Sequence, residues 1–145
     1  MIYLDTSVVA PFYWQEQLSD VVQDLLESEP EVALSQLVEV ELFSALSRRV
    51  RKGEISQDQA GAIAERFETH IDYGFYTRLP VESLHYSLAQ AWIRRFDTPL
   101  RTLDALHLAI ASAQGICLVT ADRGLAGSAA IFGIEVQLLT LPESI

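Results

Sequence analysis

Cysteine is almost missing from this chain: one residue in 145 excludes an internal disulfide. Cys117 lies in the apolar run Ile116-Cys-Leu-Val119, where a small core residue in a reducing compartment is the expected role. Histidine is scarce as well, at three residues, so there is no Cys/His set of the kind that holds zinc. Positive charge is short: 10 Lys and Arg stand against 20 Asp and Glu, a formal net charge of −10. No global field draws such a chain onto nucleic acid, and a polyanionic substrate would have to be met by local basic patches or by metal ions. Long apolar runs are absent, and about 18 to 20 residues are needed to cross a bilayer. No basic segment precedes an apolar one at the N-terminus, where Asp5 interrupts what might pass for a signal core. A cytoplasmic protein with no membrane partner is expected. With 5 prolines and 7 glycines, there is no Pro/Gly/Ser-rich linker, and neither repeats nor low-complexity tracts occur. A Gly-rich phosphate loop and a nucleophile motif are also missing.

What remains is half hydrophobic and long enough to bury a real core, so a single domain spanning 1–145 is expected. Short strand-like runs alternate with amphipathic helical stretches. Strands are expected at Ile2–Asp5, Glu31–Leu34, Phe75–Leu79, Ile116–Thr120 and Ile134–Leu139. Helices are expected from about Ser7 to Trp14, from Leu18 to Pro30, and from a cap at Ser35 to near Gly53. Further helices should open at Ser56, run from about Val81 to Phe96 with Leu84, Leu88, Ala91 and Trp92 on one face, and extend from a Thr102 cap through Ala113. Gly115 should end that one, and a last helix should start at Asp122 or Arg123 and stop at Gly133. This alternation predicts an α/β fold, a three-layer α/β/α sandwich around a mostly parallel sheet.

The opening stretch Met1-Ile-Tyr-Leu-Asp-Thr-Ser-Val-Val-Ala10 ends an apolar strand on a carboxylate and follows it with two helix openers. Ligands of open α/β sheets bind beyond the carboxyl ends of the strands, which makes Asp5 a candidate for chemistry. Taken alone, an acid there is more often a helix cap. Asp122 repeats the arrangement after Cys117-Leu-Val-Thr120, Asp104 falls in the first turn of its helix, and Glu41 lies one to two turns into the helix after the second strand. Each has a bland explanation in capping, in the helix dipole or in plain solvation. Together they converge on one edge of a parallel sheet. Two carboxylates about 4 Å apart repel by roughly 4 kcal/mol at an effective dielectric of 20. Four would consume much of a total stability of about 5 to 15 kcal/mol unless a cation lay between them. Oxygen ligands select Mg²⁺ or Mn²⁺ over zinc, and such ions suit phosphodiester hydrolysis.

These residues also resemble a family, the PIN-domain nucleases and within them the VapC-type toxins of toxin–antitoxin pairs. The resemblance runs through Ile2-Tyr-Leu-Asp-Thr-Ser7, Glu41-Leu-Phe-Ser-Ala-Leu46, Leu103-Asp-Ala-Leu-His-Leu-Ala109 and Leu118-Val-Thr-Ala-Asp-Arg-Gly-Leu-Ala126, four blocks covering nearly the whole chain. It implies a PIN-like fold and a Mg²⁺- or Mn²⁺-dependent endoribonuclease whose catalytic and metal-binding acids are Asp5, Glu41, Asp104 and Asp122. Thr6, Ser7 and Thr120 match positions that support the site through hydroxyl contacts. It further implies an RNA substrate, a homodimer, and a small antitoxin that occupies the acidic groove. Glu39 and Glu41 are two apart on a helix and cannot both face the site; periodicity does not choose between them, and the family block selects Glu41.

Arg48, Arg49, Arg51 and Lys52 form the one dense basic run. Placed at a helix end they complement the dipole, and they are equally a candidate RNA contact together with Arg101; Arg94 and Arg95 are a second basic pair. His107 reads as a satisfied core or interface histidine with no partner constellation, since metal-bound water removes the need for a histidine base. Trp14, Phe12 and Tyr13 form an aromatic cluster suited to a core or a dimer contact, or to base stacking. Two other functions stay open on sequence grounds. One is a silent binding module whose acids only cap helices; the other is a metal-dependent phosphatase or DNA nuclease on a similar sheet.

Overall fold

The computed structural model describes residues 1–143. Its elements follow from the apolar runs in order. Ile2, Tyr3 and Leu4 are fully or almost fully buried and form β1 (Ile2–Leu4). Thr6–Tyr13 is α1, Ser19–Ser28 is α2, and Val32–Ser35, buried throughout, is β2. A long α3 (Gln36–Arg51) and α4 (Gln57–Asp72) come next. Ser56 caps α4 in a reciprocal capping box with Gln59, satisfying two backbone donors that a helix start otherwise leaves bare. The chain continues through β3 (Thr77–Leu79), α5 (Ser83–Ile93), α6 (Thr102–Gln114), β4 (Cys117–Thr120), α7 (Arg123–Ile131) and β5 (Val136–Leu138). Gly115 ends α6 at φ 66°, a left-handed conformation that costs glycine nothing.

The sheet has the order β3-β2-β1-β4-β5 and every pairing is parallel, so "mostly parallel" understates it. Parallel neighbours require crossovers, which are right-handed. The chain steps outward from β1 to β2 and β3, then returns past β1 to β4 and β5, which places helices on both faces. The direction of winding reverses between β1 and β4, and a crevice opens there beyond the strand ends. Asp5 follows β1 and Asp122 follows β4, so the topology itself brings them to the switch point.

Several boundaries differ from expectation. Four strands are shorter than expected: β1 stops at Leu4, β3 begins at Thr77, β4 begins at Cys117 and β5 runs Val136–Leu138, while β2 lies one residue further on, at Val32–Ser35. Arg101, not Thr102, is the N-cap of α6, and it makes no side-chain cap bond. Leu84 is 55% exposed, whereas His85 and Ala89 are buried with Leu88, Trp92 and Ile93 half-buried beside them. The buried face of α5 is thus turned by one residue, since His85 satisfies its ring by accepting the Glu82 N–H at 2.9 Å and can then enter the core. Cys117 is half-buried and unpaired, its thiol pushed up by burial and then by the charge of Glu135. Among the described residues no helix is long and apolar enough to cross a membrane.

Candidate active site

Asp5 occupies the N-cap position of α1 but its carboxylate makes no cap bond. Its backbone carbonyl instead accepts the N–H groups of Val8 and Val9, each at 3.2 Å. The freed carboxylate is 5% exposed and accepts two hydroxyls, Ser7 on Oδ1 and Thr120 on Oδ2, each at 2.5 Å. Those hydroxyls are themselves fixed by backbone donors, Ala121 N–H to Ser7 at 2.9 Å and Asp122 N–H to Thr120 at 3.1 Å. Burial raises the Asp5 pKa above the ordinary carboxylate value, with the two hydroxyl bonds pulling the other way.

Asp122 stands at the same kind of place and behaves differently. It is exposed, and its Oδ1 caps α7 by accepting the Leu125 N–H at 3.0 Å. One oxygen is committed to folding and the other is left toward the crevice. Asp104, half-buried in the first turn of α6, shares a cleft of about 320 Å³ with Asp122, Arg101 and Gly124. Its pKa is raised by burial first, then by the negative charges of Asp122 and Asp5, and further by Glu41. The four carboxylates therefore act on one another electrostatically, although they come from four separate segments.

The choice between the two glutamates is made by their partners. Glu39 faces out of the site, where Arg78 on β3 holds it by both oxygens at 2.9 and 3.1 Å. Glu41 faces in: its Oε1 accepts the Thr6 hydroxyl at 3.1 Å and lies in hydrogen-bond contact with His107 Nε2. His107 is buried, and its Nδ1 is 2.7 Å from the Tyr3 hydroxyl, which in turn is 2.8 Å from Ser35 Oγ. Burial pushes the Tyr3 phenol well above its usual pKa, so it stays a hydroxyl. His107 is accordingly not an unpartnered core histidine. Its partners lie 66 and 104 positions away, which is why no local pattern reveals them. Ser35 is the N-cap of α3 by position, yet its hydroxyl caps nothing and goes to Tyr3. Tyr3 lies within the first motif block and Ser35 reads as a helix cap, but nothing local marked either as a partner of His107; strand position brings them together.

Beyond Glu41 the surface turns basic. A groove of about 610 Å³ runs from Thr6 and Glu41 past Ser44 and Ala45 to Arg48, Arg49 and Lys52, with Trp14 on its wall. Arg49 lies over the Trp14 ring at 5.3 Å and pairs with Glu54 at 3.2 Å. Arg51 bonds Ser47 at 2.8 Å. Arg48 and Lys52 have no ion-pair partner among the described residues and line the groove. Arg94 and Arg95 sit elsewhere, over the rings of Phe96 and Phe132. Phe12 and Tyr13 pack with Phe67, His70 and Phe75 in an aromatic cluster away from the acids.

The donor set at the crevice is all oxygen: carboxylates of Asp5, Asp104, Asp122 and Glu41, with hydroxyls behind them. That chemistry fits a hard divalent cation and not zinc. Burial raises the carboxyl pKa of both Asp5 and Asp104, and for Asp104 the negative charges of Asp122, Asp5 and Glu41 raise it further. Among the described residues, no three acidic, histidine or cysteine side chains close around a single point. Among the described residues the acids act on one another through their charges without enclosing a common point.

The chain is similar to known proteins in sequence and in fold. The family profile described as PIN domain matches residues 2–129. Ribonuclease VapC3 of Pyrobaculum aerophilum is 26% identical over 125 residues, covering 86% of this chain and 92% of that protein. Among solved structures, FitAcB from Neisseria gonorrhoeae superposes with a TM-score of 0.71 at 19% identity, covering 94% of this chain and 96% of that one. The sarcin-ricin loop cleaving toxin VapC20 of Mycobacterium tuberculosis gives 0.70 at 22% identity, with coverage of 88% and 95%. VapBC2 from Rickettsia felis, bound to a DNA fragment from its promoter, gives 0.66 at 15% identity, with coverage of 97% and 100%.

Proposed function

The chain belongs to the PIN-domain family, and from that premise we propose that it is a divalent-metal-dependent endoribonuclease serving as the toxin of a toxin–antitoxin pair. The observation that carries the reading is Asp5: a buried carboxylate that declines the cap bond available to it and is held by two hydroxyls at the switch point of the sheet. A silent module whose acids only cap helices does not account for it. We assign Asp5, Asp104, Asp122 and Glu41 to holding Mg²⁺ or Mn²⁺, with Thr6, Ser7 and Thr120 fixing two of those carboxylates. Such an ion, when bound, lowers the pKa of a water and stabilises the departing oxygen. The chain's own part is to orient the four carboxylates and hold them near one another despite their repulsion. The groove from Glu41 to Arg48 and Lys52 receives the phosphate backbone beside the cleaved bond, with Trp14 as a stacking surface. Arg101, across the crevice next to Asp104 and Asp122, supplies a cation on the opposite side.

The same reading gives a small antitoxin as partner, seated over this groove, a homodimer as the toxin's form, and the cytoplasm as its location. The decisive experiment incubates the purified protein with single-stranded RNA, a matching DNA and a phosphate monoester, with Mn²⁺ or Mg²⁺ and then with chelator. RNA cleavage that chelator abolishes is expected. Hydrolysis of the DNA or the monoester in preference to RNA moves the assignment to the corresponding nuclease or phosphatase, and full activity under chelator removes the metal from the reading.

A further inference from the structure

Glu41 is the one acid of the four whose orientation is set from beneath by a continuous line of buried side chains. Ser35 closes β2, Tyr3 lies in β1, His107 is a turn into α6, and Glu41 lies in α3. Ser35, Tyr3 and His107 are each 0 to 2% exposed. Their contacts run Ser35 Oγ to Tyr3 hydroxyl, Tyr3 hydroxyl to His107 Nδ1, and His107 Nε2 to Glu41 Oε1.

With the His107 ring neutral and Glu41 a carboxylate, the protons along this line have one arrangement in which every donor meets an acceptor. Glu41 as a carboxylate only accepts, so His107 Nε2 carries a hydrogen. In a neutral ring Nδ1 is then an acceptor, which takes the Tyr3 hydroxyl hydrogen. The Tyr3 oxygen in turn accepts from Ser35. Each donor points the same way, toward Glu41. The reverse arrangement would send the Tyr3 hydrogen to Ser35 Oγ, whose own hydrogen has no other acceptor recorded within the described residues. Thr6 also donates to Oε1, so both donors converge on one oxygen, and Oε2 keeps its lone pairs for something else.

We propose that His107, locked by Tyr3 and Ser35 into the tautomer with its hydrogen on Nε2, is a positioning residue that pins Glu41 Oε1 and reserves Oε2 for the divalent cation. This inference rests on the reading of the acids as a cation site. It assigns to the Tyr3 hydroxyl, two residues removed from the carboxylate, an effect on metal binding that packing alone does not give. Partners that orient a metal-ligating group typically change affinity by about 10- to 100-fold when removed.

The test uses the full chain, with folding of each variant verified by thermal melting. Nitrogen-15 spectra of the metal-free protein should show His107 protonated on Nε2 and bare on Nδ1. Calorimetric titration with Mn²⁺ should show roughly tenfold weaker binding for Tyr3→Phe, which keeps the ring and removes one oxygen. His107→Leu should weaken it at least as much, and His107→Gln, which retains an N–H donor, should recover part of the loss. If Tyr3→Phe does not fold, the Leu and Gln pair carries the comparison. Hydrogen on Nδ1 in the wild-type ring, or equal Mn²⁺ affinity across the variants, overturns the relay alone. A wild-type chain that takes up no Mn²⁺ overturns the reading of the acids and the relay with it.

Discussion

Asp5 and Asp122 occupy equivalent places, each after a parallel strand and at the start of a helix, and the fold uses them in opposite ways. Asp122 caps α7 and is exposed. Asp5 caps nothing, is buried, and is gripped by Ser7 and Thr120. The difference lies in where each helix start sits. β1 is the central strand of the five, so the residue that follows it is walled in by both neighbours, and Thr120 at the end of β4 is within reach. Asp122 follows β4, one strand nearer the sheet edge, between β1 and the edge strand β5, and it is exposed. Local sequence makes both of them cap-like; position in the sheet leaves Asp122 as a cap and frees the Asp5 carboxylate from that role.

Neutralising each acid without changing its shape breaks the comparison most sharply. Asp5→Asn is expected to reduce RNA cleavage by roughly 10²- to 10³-fold, the several kcal/mol that a lost metal contact is worth. It should leave the metal-free protein as stable as before or more so, because a desolvated charge has gone. Asp122→Asn should also lower cleavage while keeping its cap, since Asn caps as well as Asp. Asp122→Ala should in addition cost about 1 kcal/mol of stability. Cleavage assays set beside melting curves read both effects. Undiminished cleavage by Asp5→Asn would remove that residue from the metal-binding set and leave it a helix-start acid.

A smaller effect is expected from pH. Asp5 and Asp104 have raised pKa values in the fold, so above the ordinary carboxylate range the folded state holds protons that the unfolded chain has released. Stability then falls as pH rises from the unfolded carboxylate pKa through the folded values. The chelated protein should melt at a lower temperature at neutral pH than this pair of residues would allow at mildly acidic pH. Mn²⁺ should remove that fall. The difference between wild type and Asp5→Asn across the pH series isolates the contribution of Asp5, and a difference that does not change with pH contradicts it.

The smallest effect concerns the exposed member. A Cβ on Gly124 would lie 3.2 Å from Asp122 Oδ1, tight against the capping oxygen. Replacing glycine by alanine inside a helix ordinarily stabilises by up to about 1 kcal/mol. At Gly124→Ala that gain should be largely offset by pressure on the cap, leaving the melting temperature nearly unchanged and cleavage modestly reduced. A full propensity gain with unaltered cleavage would show that Asp122 has room to shift.

Strand and helix alternation, the caps at Ser56 and Asp122 and the stop at Gly115 were legible in the chain because each depends on residues within a few positions of one another; parallel pairing followed from the alternation, because a helix between successive strands is a parallel crossover. So was the set of four acids, as an ordered series of motif blocks. The face of α5 was misread at Leu84 because a histidine with a local partner can be buried where a leucine is not. The basic run at Arg48 to Lys52 was readable as charge, but only the groove shows that Arg48 and Lys52 adjoin Glu41 while Arg49 is spent on Trp14 and Glu54.

By itself the sequence determined which residues are acidic, the alternating order of strands and helices, and that acids outnumber Lys and Arg by 20 to 10. The tertiary structure alone decided that Glu41 turns inward while Glu39 turns to Arg78, that Asp5 is a held carboxylate and not a cap, and that Ser35, Tyr3 and His107 line up behind Glu41. The reason is range: propensity and capping act over one helical turn or one strand step, whereas burial and hydrogen bonding between β1, β2, α3 and α6 exist only after the sheet has brought distant segments together.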